Sequence, residues 1–285
     1  MKRLFIFFLF LLAFFALAPL CHKATDGFAM VNVYAPKGDH SKWHREGEFP
    51  ADLMKKPFTY FDSGSQSYIF LSEDQTVVLK LFKFQHMRTP PWLNFLPDFG
   101  KLKEKRAKKR EILEKTFESL AIAYDNLKEE TALLYLHLAK TNHLKKRVTL
   151  IDKIGKRHSV DLDQVEFLIQ KKGTRAYKTI DKWIENGEIE TAKKGIQTLL
   201  KLAAQRCQKG LFDKDPDFST NFGFIGKTPF QIDFGRLSYS SEEKDPKIYA
   251  PEMIRITREF EGWIRKNHPL LLDAFTKELD EITTY

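Results

Sequence analysis

The sequence predicts an α+β fold in two lobes, and three observations predict it. Aromatic and β-branched runs cluster between Phe58 and Lys83. A single apolar stripe at helical spacing then occupies residues 113–127, and two further helical patterns follow Gly173. A chain of 285 residues, 42% hydrophobic with 25 Phe, can bury a large core, which excludes a disordered protein. Cys21 and Cys207 are too few for a disulfide framework or a cysteine-built zinc site. His137 and His143 do not have the spacing of metal ligands on one helical turn. The formal charge of +9 suits phosphate-rich or anionic partners.

The chain is expected to divide into residues 1–21, 22–56 and 57–285. After Lys2 and Arg3, seventeen uncharged residues run from Leu4 to Leu20, the pattern of a signal peptide or signal anchor. At helical rise they would span roughly 26 Å, a little short of a hydrocarbon core of about 30 Å. The expected location is therefore exported or membrane-anchored, with secretion as one form of export. Residues 22–56 read as a linker, because Gly27, Pro36, Gly38, Gly47 and Pro50 interrupt any period.

Within the main domain, Phe58–Phe61 and Ser67–Leu71 flank Asp62-Ser63-Gly64-Ser65-Gln66 and read as strand, tight loop, strand. Thr76–Lys83 is a third strand, so an antiparallel meander opens the domain. Leu113, Phe117, Leu120, Tyr124 and Leu127 then form one helical stripe. From Lys101 to Lys115 there are eight Lys or Arg against three Glu, a solvated basic face that also suits an anionic lipid surface. No interleaved aromatic or nucleic-acid motif accompanies it, so nucleic acid is not the expected partner. Arg147–Asp152 and Val165–Gln170 read as strands joined across a basic turn at Gly155. Ile180–Ile184 begins a short helix closed by Asn186-Gly187. Ile189–Cys207 marks a longer one closed by Gly210, with Cys207 on its apolar side.

The residues with chemistry come next. Gly210-Leu211-Phe212-Asp213-Lys214-Asp215 leaves the helix, Asn221 follows, and Phe222–Ile225 with Pro229–Ile232 forms a hairpin that runs into Asp233-Phe234-Gly235. The alternation of Asp213, Asp215 and Asp217 lacks the glycine and terminal glutamate of a calcium loop. Phosphoryl transfer needs metal-binding oxygens, a carboxylate at the attacking hydroxyl and a cation on the leaving phosphates. A loop aspartate, a nearby asparagine and an aspartate past a strand can supply the first two, and Lys80 the third.

In these motifs residues 58–251 resemble the protein kinase-like superfamily. Ser63-Gly64-Ser65-Gln66-Ser67 is similar to a glycine-rich loop, and Val77-Val78-Leu79-Lys80 to the strand that carries the phosphate-binding lysine. Gly210–Asp215 is similar to the approach to the catalytic loop, with Asp213 in place of a histidine and Lys214 in place of an arginine. Tyr249-Ala250-Pro251-Glu252 is similar to the motif that closes the activation segment. The resemblance implies a two-lobed fold, with an N-terminal antiparallel sheet and long helix and a reduced helical C-terminal lobe. It implies ATP and Mg²⁺ as cofactors. Ser63, Gly64, Ser65 and Lys80 would hold nucleotide, Asn221 and Asp233 the metal, and Asp215 would be the catalytic carboxylate. Glu111, Glu114 or Glu118 would pair with Lys80. Two functions fit: a phosphotransferase acting on a protein or small-molecule hydroxyl, or an inactive kinase-like module that binds a protein partner or membrane surface.

Overall fold

A computed structural model describes Leu17 and residues 19–284. Most of the apolar N-terminal segment therefore lies outside the described residues. Among the described residues no helix is long and apolar enough to cross a membrane.

The chain falls into two compact units, one formed by residues 1–42, 48–109 and 137–169, the other by 43–47, 110–136 and 170–285. The chain order begins β1 (Phe58–Ser63), β2 (Ser67–Ser72), β3 (Val77–Phe82), α1 (Gly100–Asn126), β4 (Leu133–His137), β5 (Arg147–Ile151), β6 (Arg157–Asp161) and β7 (Phe167–Lys171). The first unit contributes six neighbouring strands of a seven-stranded sheet, in the order β7-β3-β2-β1-β5-β6. The expected meander is present. β1 and β2 pair antiparallel with a bulge between Tyr60 and Asp62, and β2 pairs with β3 so that Ile69 faces Lys80.

Two strands of this sheet escaped the sequence pattern. The turn at Gly155 (φ 84°) leads into β6, which pairs antiparallel with β5 before the chain reaches β7. Within Arg157–Asp161 the one fully buried side chain is Val160, too little apolar alternation to announce a strand. β4 has the opposite problem, since Leu-Leu-Tyr-Leu is a continuous apolar run whose periodicity does not separate helix from strand.

Residues 22–56 carry short 3-10 turns at Met30–Val33, Ser41–Trp43 and Ala51–Met54, and they are packed down. Phe28 sets its ring edge-on to Tyr68 at 5.1 Å and to Phe70 at 5.3 Å, while the Tyr68 hydroxyl donates to the Gly27 carbonyl at 2.6 Å. Arg88 donates to the carbonyls of Val31 and Tyr34. Burial of large rings outweighs the turn-forming composition here. Nearby, buried Asp163 organises the loop before β5. Its carboxylate accepts from Thr141 and from the backbone N–H groups of Leu144 (3.1 Å) and Lys145 (2.7 Å), the latter at φ 49°. Burial pushes this carboxyl up, but the three bonds outweigh it and hold it below the ordinary aspartate value.

The second unit continues with β8 (Thr174–Arg175), α2 (Ala176–Glu185), α3 (Ile189–Gln208), β9 (Leu211–Asp213), β10 (Phe222–Ile225), β11 (Thr228–Gln231), β12 (Leu237–Tyr239), α4 (Pro246–Asn267) and α5 (Leu272–Thr283). The α3 stripe is as expected: Ala192, Ile196, Leu199, Ala203 and Cys207 are all buried, so Cys207 is a core residue. Gly195 is needed where α3 meets Trp183, because a Cβ there would stand 2.4 Å from the indole. Around Phe260 of α4, rings of Tyr177 (5.4 Å) and Phe218 (5.3 Å) stack while Phe275 of α5 meets it edge-on at 5.8 Å. Tyr249-Ala250-Pro251-Glu252 lies inside the first turns of α4 rather than in a loop, and Glu252 pairs with Arg255 at 2.7 Å. The fold is α+β, with sheet and long helix first and helices, short strands and hairpin after.

Two stability predictions follow from this packing. Phe260→Ala should cost about 3–5 kcal/mol in urea unfolding, since it empties the centre of the ring stack. Asp163→Asn should cost about 1–3 kcal/mol at neutral pH. A lowered folded value means that the carboxylate's contribution is present above the ordinary aspartate value of 3.8 and lost as pH falls through the folded value. The gap between wild type and Asp163→Asn should therefore close in acid, which unfolding curves across pH will show.

Candidate functional site

In the first unit the proposed phosphate loop is the β1–β2 turn. The Ser63 N–H is held by the Asp62 carboxylate at 2.8 Å and the Gly64 N–H by the Ser67 carbonyl at 2.9 Å. From the strand end opposite, Lys83 reaches in: its ammonium donates to the Ser63 hydroxyl at 2.5 Å and to the Gly64 carbonyl at 2.7 Å, and stands 4.7 Å from the centre of the Tyr68 ring. Burial lowers the Lys83 pKa against the pull of Asp26 and Asp62. Of the three proposed loop residues, Ser63 and Gly64 thus have their amides committed within the turn. The sequence reading missed Lys83, although it is the next lysine along from Lys80. Lys80 itself is buried at 7% exposure in a strand whose every residue is buried. A solvated strand lysine would be exposed, and burying an ammonium is costly without compensation.

The second unit gathers Asp213, Asp215, Asn221 and Asp233 into one hydrogen-bonded cluster. Asp213, where the resemblance expects a histidine, is 1% exposed. One carboxylate oxygen accepts from the Asp215 N–H at 3.0 Å. The other accepts from Gln231 Nε2 at 2.7 Å and lies 3.2 Å from Arg206 Nη1. The same Gln231 nitrogen donates to the Asp233 carbonyl at 2.9 Å. Asn221 joins from the other side, its Nδ2 donating to the Asp215 carbonyl at 2.6 Å and its own carbonyl accepting the Ile232 N–H at 2.7 Å. Ser119 of α1, fully buried, donates to the Phe234 carbonyl at 2.5 Å and accepts from the Leu237 N–H at 2.6 Å. Backbone and side chain thus tie the loop, the asparagine and the post-strand aspartate together.

Asp215 and Asp233 themselves are exposed. Asp215 stands 3.5 Å from Arg236, and Asp233 Oδ1 accepts the Gly235 N–H at 3.1 Å. Asp217 is spent on its own turn, bonded to Ser219 and Thr220, and Asp213 is sealed against Arg206. The three alternating aspartates therefore do separate jobs and make no calcium loop. Burial raises the Asp213 carboxyl, with Arg206 pulling against it. Ser119 was invisible in sequence because its partners lie 115 and 118 residues along the chain, while Arg206 and Gln231 stand close to Asp213 in sequence but in no motif that marks the pairing. Of the α1 glutamates, Glu118 accepts from the Trp43 indole at 2.9 Å and Glu111 from Lys115 at 2.5 Å.

The donor set fits Mg²⁺ chemically. Asn221 and Asp233 offer hard oxygens on adjoining backbone, and Mg²⁺ is commonly held by one or two protein oxygens with phosphates and water completing its shell. Among the described residues no group of three or more His, Cys, Asp or Glu forms a metal cage.

No protein-family model and no curated protein sequence matches this chain. Among solved structures it is similar to the bifunctional kinase-methyltransferase WbdD, with 15% identity over 78% of this chain and 46% of that one, at a TM-score of 0.39. It is also similar to Rv3197 from Mycobacterium tuberculosis, solved with erythromycin, with 17% identity over 80% and 56% and a TM-score of 0.36. The chain spans about half the length of the solved chains it matches.

The buried pair yields a direct test. Asp213→Ala leaves the Arg206 guanidinium buried without its carboxylate and should cost about 3–5 kcal/mol. The double variant Asp213→Ala with Arg206→Met should recover most of that loss in chemical denaturation.

Proposed function

We propose that this chain is a divergent kinase-like phosphotransferase that uses ATP and Mg²⁺ to phosphorylate a hydroxyl of a protein or small molecule. The observation that carries this reading is the clustering of Asp215, Asn221 and Asp233 through Asp213 and Gln231. Exposed Asp215 would accept the proton of the attacking hydroxyl and orient it. Asn221 and Asp233 would hold the metal, which when bound neutralises charge on the phosphates. Buried Lys80 would supply a fixed cation for the phosphates, and Ser65 the phosphate-loop amide with no partner inside the turn. Lys83 would keep that turn closed. The N-terminal apolar segment would send the chain out of the cytoplasm or anchor it at a membrane. Its nucleotide must then come from the compartment it reaches.

A second reading, a kinase-like module that binds a partner without transferring phosphate, draws on one observation: the Ser63 and Gly64 amides are already bonded within the turn. Thermal unfolding separates the two. With Mg²⁺–ATP at about 100 times its dissociation constant, the native state should gain about 2.7 kcal/mol. That gain should disappear in Lys80→Ala and in Asp233→Ala. Asp215→Ala should keep the gain yet lose transfer to acceptor or water by about 100-fold or more. No gain at millimolar nucleotide would sink the phosphotransferase and leave the binding module.

A further inference from the structure

The basic start of α1 does not stand alone. Immediately before it, Pro91–Phe95 forms a 3-10 turn that leads through Leu96 and Phe99 into the helix. Phe95 is 90% exposed, Phe99 70%, Trp92 65% and Leu96 48%. A contiguous cluster of large apolar side chains this exposed marks a contact surface. The turn is also fastened in place. The Arg106 guanidinium donates to the carbonyls of Leu93 (2.5 Å) and Leu96 (3.0 Å) and to the Asp98 carboxylate (2.9 Å), while Leu93 is buried beneath. Along the helix, exposed Lys101, Lys105 and Lys108 recur at i, i+4 and i+7 and so share one face. Glu104 is the one acidic residue from 100 to 109.

We propose that Trp92–Phe99 and the first turns of α1 form a docking surface for an anionic lipid bilayer. Tryptophan and phenylalanine favour the membrane–water interface, and neighbouring lysines are drawn to acidic headgroups within a Debye length. Each part needs the other: the rings bury apolar area, and the lysines select the charged leaflet. Nucleic acid would also attract the lysines, but Phe95 and Leu96 have no polar atom to bond a phosphate backbone. The proposal goes beyond phosphotransfer and stands or falls without nucleotide.

Tryptophan fluorescence of the full chain tests it. The chain has four tryptophans: Trp43 and Trp183 are buried, Trp263 is partly buried in the core of the second unit, and the apolar N-terminal segment contains none. Vesicles of phosphatidylcholine and phosphatidylserine with brominated acyl chains should quench roughly a quarter of the emission relative to unbrominated vesicles, since Trp92 is one of the four. Trp92→Phe should abolish the quenching. Vesicles of phosphatidylcholine alone should quench far less, and Lys101→Glu with Lys105→Glu and Lys108→Glu should lose the effect. Equal quenching in Trp92→Phe, or equal quenching without phosphatidylserine, would overturn the proposal. So would retention on duplex DNA with no bromolipid quenching, which would assign the lysines to nucleic acid.

Discussion

The second unit depends on one buried carboxylate. Asp213 receives Gln231, the Asp215 amide and Arg206 at once, so the backbone of the loop after β9 and the end of β11 cannot shift independently. An ion pair this deep is poor insulation against unfolding, because desolvating both charges offsets most of their attraction. Its effect is geometric. It leaves Asp215 and Asp233 at the surface while their backbones are held from below, which is the arrangement a site built on exposed carboxylates requires. The resemblance puts a histidine at this position. A carboxylate with an amide intermediary reaches the Asp233 carbonyl in this chain instead, and Arg206 is the cost of burying it.

How much of this was legible in the sequence depended on the distance between partners. The β1–β2–β3 meander and the α1 and α3 stripes rest on side-chain periods within a few residues, and they stand where the pattern put them. The hairpin into Asp233 was equally plain, with Gly226-Lys227 between two short apolar runs. β6 was missed because its apolar content is a single valine, and β4 because an unbroken apolar run has no period. In the candidate site, the sequence offered the polar residues that the cluster brings together, but not the side chains that hold them. Ser119 bonds a carbonyl 115 residues away, and no spacing rule connects the two. The packing of residues 22–56 was hidden for a similar reason: composition describes how a segment can turn, not which ring it will bury.

Charge was the least informative signal taken whole and among the more informative taken locally. The excess of basic residues gathers at the start of α1. There two cations are structural: Arg106 fastens the aromatic turn, and Lys109 donates to the His86 carbonyl. The lysines left at the surface follow exposed aromatic residues along the chain. In the β1–β2 turn, by contrast, a lysine is drawn inward, and Lys83 satisfies the oxygens of a turn that has only one glycine.

The proposal that Lys80 holds the phosphates of a bound nucleotide is the central claim. An acyl-phosphate derivative of ATP tests it most directly, because it transfers its acyl group to a lysine amine beside the bound phosphates. Peptide mapping should find the acyl group on Lys80 and should lose it when Mg²⁺–ATP is in excess. Labelling confined to Lys83, or labelling of Lys80 that ATP does not suppress, would contradict the account.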